Sequence, residues 1–155
     1  MNNSIGLNVK KTENLAEMLN DLLANYEVFY QNLRHFHWNI KGKKFFELHA
    51  KFEEFYTDAF NKIDEIAERV LTLQQVPLHT YEDFLEKSAI KSVMSDNVDE
   101  TAVKTIVDHY SILISKERAI LEAASDAGDE GTVSLMSDYI TATEKTVWML
   151  NAFLS

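Results

Sequence analysis

The chain has very little with which to interrupt a helix. Its 155 residues include only four glycines and one proline. Gly6, Gly42, Pro77, Gly128 and Gly131 are therefore the natural breakpoints. A strand-rich fold needs a turn about every 8–12 residues. The breakpoints here allow a few long elements, and elements of that length are helices.

The apolar residues follow the same logic. The first helix is predicted to begin at Thr12 as N-cap, and its apolar positions are Leu15, Leu19, Leu22, Tyr26, Phe29, Leu33 and Phe36. Steps of four and three keep one helix face apolar. Residues 39–43, which include Gly42, break it. A second helix carries Phe45, Leu48, Phe52, Phe55, Ala59, Ile63, Ile66, Val70 and Leu73 and ends before Pro77. A crossover of about twenty residues follows, and TYEDFLEKS within it predicts a short helix capped by Thr80. The third long helix turns Val103, Val107, Tyr110, Ile114, Leu121 and Ala124 inward and stops at Gly128. The fourth uses Met136, Ile140, Thr143, Val147, Leu150 and Leu154. Two hairpins joined by one long crossover make an all-α, up-down-down-up four-helix bundle. This is the ferritin-like connectivity, with a short helix in the long crossover between helices two and three. No repeat or shift in composition marks a second domain, so residues 1–155 read as one.

Composition removes several function classes. There is no cysteine, hence no disulfide framework, thiolate metal site or cysteine nucleophile. That fits a reducing compartment. The opening MNNSIGLNVKK lacks the apolar run of a secretory signal or a membrane span. Asp and Glu outnumber Lys and Arg by 25 to 15, a formal charge of −10. Such a chain repels phosphate backbones and attracts cations.

The stretch RHFHWNIKGKKFFELHAKFEEF, residues 34–55, gathers three of the five histidines. His37 ends the first helix, and His49 lies in the second turn of the next. His49 and Glu53 are spaced i, i+4. So are Asp64 and Glu68, farther along that helix, and each pair shares a face. Imidazoles with carboxylates and no thiolate suit iron, zinc or manganese. Length then constrains the arrangement. Fifteen residues separate His49 from Asp64, roughly 22 Å at the rise of an α-helix, whereas a metal–ligand bond is about 2 Å. The two cannot bind one ion within one chain. Either they are unrelated, or a second copy brings them together. If two copies pack this helix antiparallel about a two-fold axis, His49 of one faces Asp64 and Glu68 of the other, and the contact occurs twice. His37 joins if the 39–43 turn folds the first helix back beside the second.

Other residues read as structural. His35 points to a different face from His37 and takes a surface or interface role. His79 in the crossover and His109 on the third helix face solvent. The aromatics of residues 45–56 are core and dimer interface, and Trp148 is packing. The bland alternative treats the imidazoles as helix caps and the carboxylates as solvated. The chain would then be a non-catalytic bundle oligomer with a vestigial metal site, serving as a protective shell, a zinc-holding protein or an adhesion or antigen protein.

FHWNIKGKKFFELHAKFEEFY followed by NKIDEIAERVLTL resembles the Dps family of mini-ferritins (DNA-binding proteins from starved cells). The shared pattern is His-Trp-Asn, a short glycine-containing turn, a second histidine twelve residues after the first, and Asp-x-x-x-Glu before an Arg. The likeness spans nearly the whole chain. It implies that His37, His49, Asp64 and Glu68 are ferroxidase ligands. Glu53 stands where the family commonly has an aspartate. Trp38 matches a tryptophan beside the iron site that acts as an auxiliary electron donor. It further implies a cytoplasmic, hollow homododecamer with two irons in each site, shared between subunits at two-fold interfaces. Such a cage oxidises Fe²⁺, preferably with hydrogen peroxide, and stores Fe³⁺ as mineral, protecting the cell from oxidative damage.

The family admits iron through acidic pores, for which Asp126, Asp129, Glu130 and Asp138 are the candidates here. Ser134 stands where relatives usually carry a pore aspartate. The other reading has Asp129 and Glu130 cap the last helix and complement its dipole. DNA binding is expected to be weak. Only Lys10 and Lys11 precede the first helix, no lysine-rich tail follows Ser155, and twelve chains of −10 would carry about −120 against the phosphates.

Overall fold

The computed structural model describes residues 1–155. It contains α1 (Val9–Asn39), α2 (Phe45–Thr72), α3 (Tyr81–Lys87), α4 (Thr101–Ala127) and α5 (Glu130–Leu154). There is no strand, only two isolated bridges, Asn2 with Asn8 and Ile40 with Val98. α1 packs against α2, α3 and α4, and α4 packs on α5. This is the expected all-α bundle of two hairpins joined by a helical crossover. No helix is long and apolar enough to cross a membrane.

The helix boundaries have local causes. α1 begins earlier than Thr12, because Asn8 is the cap and its side chain accepts the Lys11 amide at 3.2 Å. Thr12 lies inside the helix, where its hydroxyl donates to the Val9 carbonyl at 2.8 Å. The chain reverses after α1 through Gly42, whose φ of +111° suits glycine. Thr80 caps α3 as expected, accepting from the Asp83 amide at 3.2 Å. Gly128 ends α4 in the left-handed conformation.

Every apolar position expected to face inward on α1 is buried. On α4 the expected stripe is displaced. Val107, Ile114 and Leu121 are half-buried, and the fully inward row is Val103, Ile106, Tyr110, Leu113, Glu117, Ile120 and Ala124. The steps still alternate between three and four, but a glutamate occupies one of them. A pattern read from apolar residues alone skips that position and slips to the neighbouring face. On α5, Val147 is half-buried and Leu154 exposed rather than inward, while Tyr139 and Thr132 are buried.

The crossover has no strand to pair with, so its backbone needs other partners. Two buried asparagines of α1 supply them. Asn25 Oδ1 accepts the amides of Ala89 and Ile90, each at 3.0 Å. Asn32 Oδ1 accepts the Val93 amide at 2.9 Å, and its Nδ2 donates to the Lys91 carbonyl at 2.9 Å. His35 extends this row by bonding the Ser95 carbonyl through Nε2 at 2.7 Å. Its role is therefore to hold the crossover. Leaving such buried groups unpaired costs about 1–3 kcal/mol each.

Glu117 sits in the middle of the bundle with none of its surface exposed. The Tyr26 hydroxyl donates to its Oε1 at 2.5 Å, and Oε2 has no partner. From α2, the buried Lys62 ammonium bonds Asp58 at 2.7 Å and lies 5.1 Å from the Tyr139 ring centre. Burial pushes the Glu117 carboxyl up to about 7, opposed by the Tyr26 hydrogen bond and the Lys62 charge. An acid whose native pKa is raised holds its proton in the fold while the unfolded chain releases it. Native stability therefore falls as pH rises from the ordinary glutamate range to about 7, then levels. Glu117→Gln keeps the acceptor for Tyr26 and removes the titration. Its stability relative to the parent should improve by ~3 kcal/mol between pH 4.5 and pH 8, measured by chemical denaturation across that range.

Candidate metal site

The α1–α2 hairpin brings His37 and His49 face to face, their rings stacked at 3.8 Å and inclined by 13°. Each is anchored by the other's backbone. His37 Nδ1 bonds the His49 carbonyl at 2.6 Å, and His49 Nδ1 bonds the His37 carbonyl at 2.8 Å. A carbonyl only accepts, so each Nδ1 carries the hydrogen. The neutral rings then hold their lone pairs on Nε2, the atom left for a metal, with tautomer and orientation fixed from behind.

Aromatic neighbours hold the pair in place. Phe45 stacks on His49 at 4.9 Å, and Tyr56 sets its ring against His37 at 5.3 Å and 80°. His37 is buried and His49 half-buried. The Tyr56 hydroxyl donates to Glu53 Oε1 at 3.2 Å. Trp38, next to His37, is exposed, and the Arg34 guanidinium lies 4.8 Å from its ring centre. Neither Phe45 nor Tyr56 was singled out from sequence as a site residue. The available signal was spacing, since Tyr56 lies i+3 from Glu53 and i+7 from His49 on one face of α2.

Asp64 and Glu68 are exposed on the later turns of α2, and neither carboxylate has a hydrogen-bond partner within the chain. No group of three or more His, Asp or Glu side chains converges inside the subunit. The chain thus presents a preorganised imidazole pair at one level of α2 and two free carboxylates at another.

The acidic turn between α4 and α5 is divided in the same way. Asp126, Glu130 and Asp138 are exposed. Asp129 is buried and engaged: its Oδ1 accepts the Thr132 amide at 3.0 Å and pairs with the Arg69 guanidinium at 2.6 Å. Arg69 Nε also donates to Thr132 Oγ1 at 2.9 Å. A Cβ at Gly131 would lie 2.7–2.9 Å from the guanidinium, so glycine is what lets Arg69 cross the start of α5.

Two further residues differ from the sequence reading. His109 does not face solvent. It is buried with its ring 5.8 Å from that of Phe29, and Nδ1 has no partner. Burial lowers its pKa, with Asp108 opposing. His109 lies alongside the true inward row of α4, next to the buried Tyr110. Trp148 is not packed within the subunit, with 66% of its surface exposed. His79 is exposed as expected.

The ferritin-like domain model matches residues 16–155. The DNA protection during starvation protein of Porphyromonas gingivalis is 41% identical over 148 residues, covering 96% of this chain and 93% of the relative. The chain belongs to the Dps family. Among solved structures, Dps from Vibrio cholerae O1 is 54% identical with a TM-score of 0.96, covering 99% of this chain and 97% of that one. It is described as a member of a broad superfamily of ferritin-like diiron-carboxylate proteins. Dps from Bacillus brevis is 37% identical with a TM-score of 0.90, covering 94% and 98%. The likeness seen in the His-Trp-Asn and Asp-x-x-x-Glu motifs thus holds for the whole chain, and this Dps has the family's general role in iron storage and protection.

The crossed hydrogen bonds make a prediction that needs no metal. In ¹⁵N spectra of the metal-free protein at neutral pH, His37 and His49 should both appear as the Nδ1-protonated tautomer. An Nε2-protonated signal from either would contradict the assignment.

Proposed function

We propose that this Dps chain is a ferroxidase subunit whose active site is completed by a second copy. His37 and His49 of one subunit, with Glu53 beside them, meet Asp64 and Glu68 of its neighbour at a two-fold interface. Six such dimers form a hollow dodecamer. The observation that carries this reading is the split donor set: a locked imidazole pair with free Nε2 atoms, and unengaged carboxylates on α2, the nearer of them roughly 22 Å along that helix from His49.

The substrate is Fe²⁺. Two ferrous ions held together give up one electron each, and hydrogen peroxide with two protons becomes two molecules of water. Taking both electrons in one encounter avoids the single-electron cleavage that releases hydroxyl radical. The residues supply positioning and charge. Neutral imidazoles and ionised carboxylates bind iron without thiolate softness, and the backbone carbonyls behind Nδ1 keep the imidazoles aimed. Trp38 stands beside His37 as an auxiliary electron donor. The oxidised iron passes into the cavity as mineral. Iron reaches that cavity past the exposed Asp126, Glu130 and Asp138, while Asp129 serves the fold through its bonds to Arg69 and Thr132.

Sharing of the site has a direct test. Subunits carrying His37→Ala with His49→Ala should be inactive in iron-dependent peroxide consumption, as should subunits carrying Asp64→Ala with Glu68→Ala. Co-refolding the two in equal amounts should restore about a quarter of the sites, because each mixed dimer regains one of its two. A site built within one subunit would recover nothing.

The formal charge of −10 per chain supports weak or absent DNA binding. Metal-free dodecamer should leave duplex DNA unretarded in a gel at moderate salt, and a retained band would reverse this point.

A further inference from the structure

Glu53 is the weakest member of the proposed ligand set, and its surroundings suggest how it becomes a useful one. It is exposed, and a free glutamate side chain gives up rotamer freedom when it is fixed. One partner holds it: the Tyr56 hydroxyl, which donates to Oε1 at 3.2 Å. That single bond leaves Oε2 and the second lone pair of Oε1 available. Tyr56 is itself held on both sides. Its ring meets His37 at 5.3 Å and Tyr30 at 6.1 Å, and Tyr30 carries the Arg34 guanidinium 5.1 Å from its ring centre. The same tyrosine therefore touches an imidazole of the site and tethers a carboxylate of the site, with His49, Glu53 and Tyr56 along one face of α2.

We infer that Tyr56 is a positioning residue that restrains Glu53 on the face of α2 that also carries His49, so that this longer carboxylate can join the two imidazoles as a metal ligand once the second subunit completes the site. A glutamate has one more rotatable bond than an aspartate, so it gains more from an external anchor. The tyrosine hydroxyl supplies that anchor without competing for the metal, because it donates a hydrogen bond instead of bringing a second charge. This rests on the shared-site reading above and adds a residue outside the proposed ligand set.

The test uses Co²⁺ as the probe, titrated into metal-free dodecamer and followed by its visible absorption. Tyr56→Phe keeps the ring against His37 and removes only the hydroxyl. Co²⁺ affinity should fall about tenfold, the scale of losing a group that orients a ligand, while assembly and the imidazole ¹⁵N signals stay unchanged. Glu53→Gln should also weaken binding. In the Glu53→Gln background, Tyr56→Phe should then have no further effect, because its target is gone. If Glu53→Gln lowers affinity but Tyr56→Phe does not, the inference fails and the ligand set stands. The inference fails equally if the two losses multiply, since Tyr56 would then act through His37. If Glu53→Gln changes nothing while His37→Ala with His49→Ala abolishes binding, Glu53 leaves the set and Tyr56 loses this role. If the histidine variants also bind Co²⁺ normally, the shared-site reading itself is overturned.

Discussion

Two hydrogen bonds exchanged between His37 and His49 close the α1–α2 hairpin and orient both imidazoles of the proposed site in the same act. The His49 ring satisfies the His37 carbonyl, one of those that the end of α1 leaves without a helical partner, and the His37 ring bonds the His49 carbonyl in the second turn of α2. Fixing Nδ1 as the donor leaves Nε2 as the base. The hairpin cannot loosen without disturbing the two imidazoles, and His49 cannot turn without leaving the His37 carbonyl unpaired. Phe45 and Tyr56 pack against the outside of the stacked rings, so the polar core of the site sits in an aromatic frame.

α1 carries a second kind of burden. Its apolar face fills the bundle, and its polar residues Asn25, Asn32 and His35 hold an extended crossover that no strand supports. A buried side-chain amide can accept and donate at once, so two asparagines replace a stretch of β-ladder. The bundle interior also keeps one acid, Glu117, paired with Tyr26 and flanked by Lys62. Burial, more than any neighbouring charge, sets its proton affinity. Polar groups in the core thus serve three separate ends: closing a hairpin, fastening a crossover, and tuning one carboxyl.

Much of this was legible in the sequence. Scarce breakers and an alternating four-three period define the four long helices and the short one, and the inward face of α1 follows residue by residue. Thr80 and Gly128 act as punctuation where their chemistry suggests. On α4 the cause is that a stripe drawn through apolar residues is blind to a buried polar one. Glu117 displaced the reading of α4, and with it the burial of His109 about two turns earlier was missed. Asn8 outdid Thr12 as a cap because its side chain reaches an amide three residues on. Asp129 read as a pore acid or as a cap of the last helix; it is the cap, accepting the Thr132 amide, and its further pairing with Arg69 across some sixty residues of chain has no local signature.

The sequence by itself determined the helices, the family and the distance between His49 and Asp64 in the proposed donor set, because helical rise converts residue number directly into distance. Only the tertiary structure decided which side chains are aimed and which are consumed. It locks His37 and His49 by each other's carbonyls, assigns His35 to the crossover and Asp129 to Arg69, and leaves Asp64 and Glu68 unengaged. Those outcomes depend on which groups from distant segments come within about 3 Å, the reach of a hydrogen bond, and no spacing along a single helix encodes that.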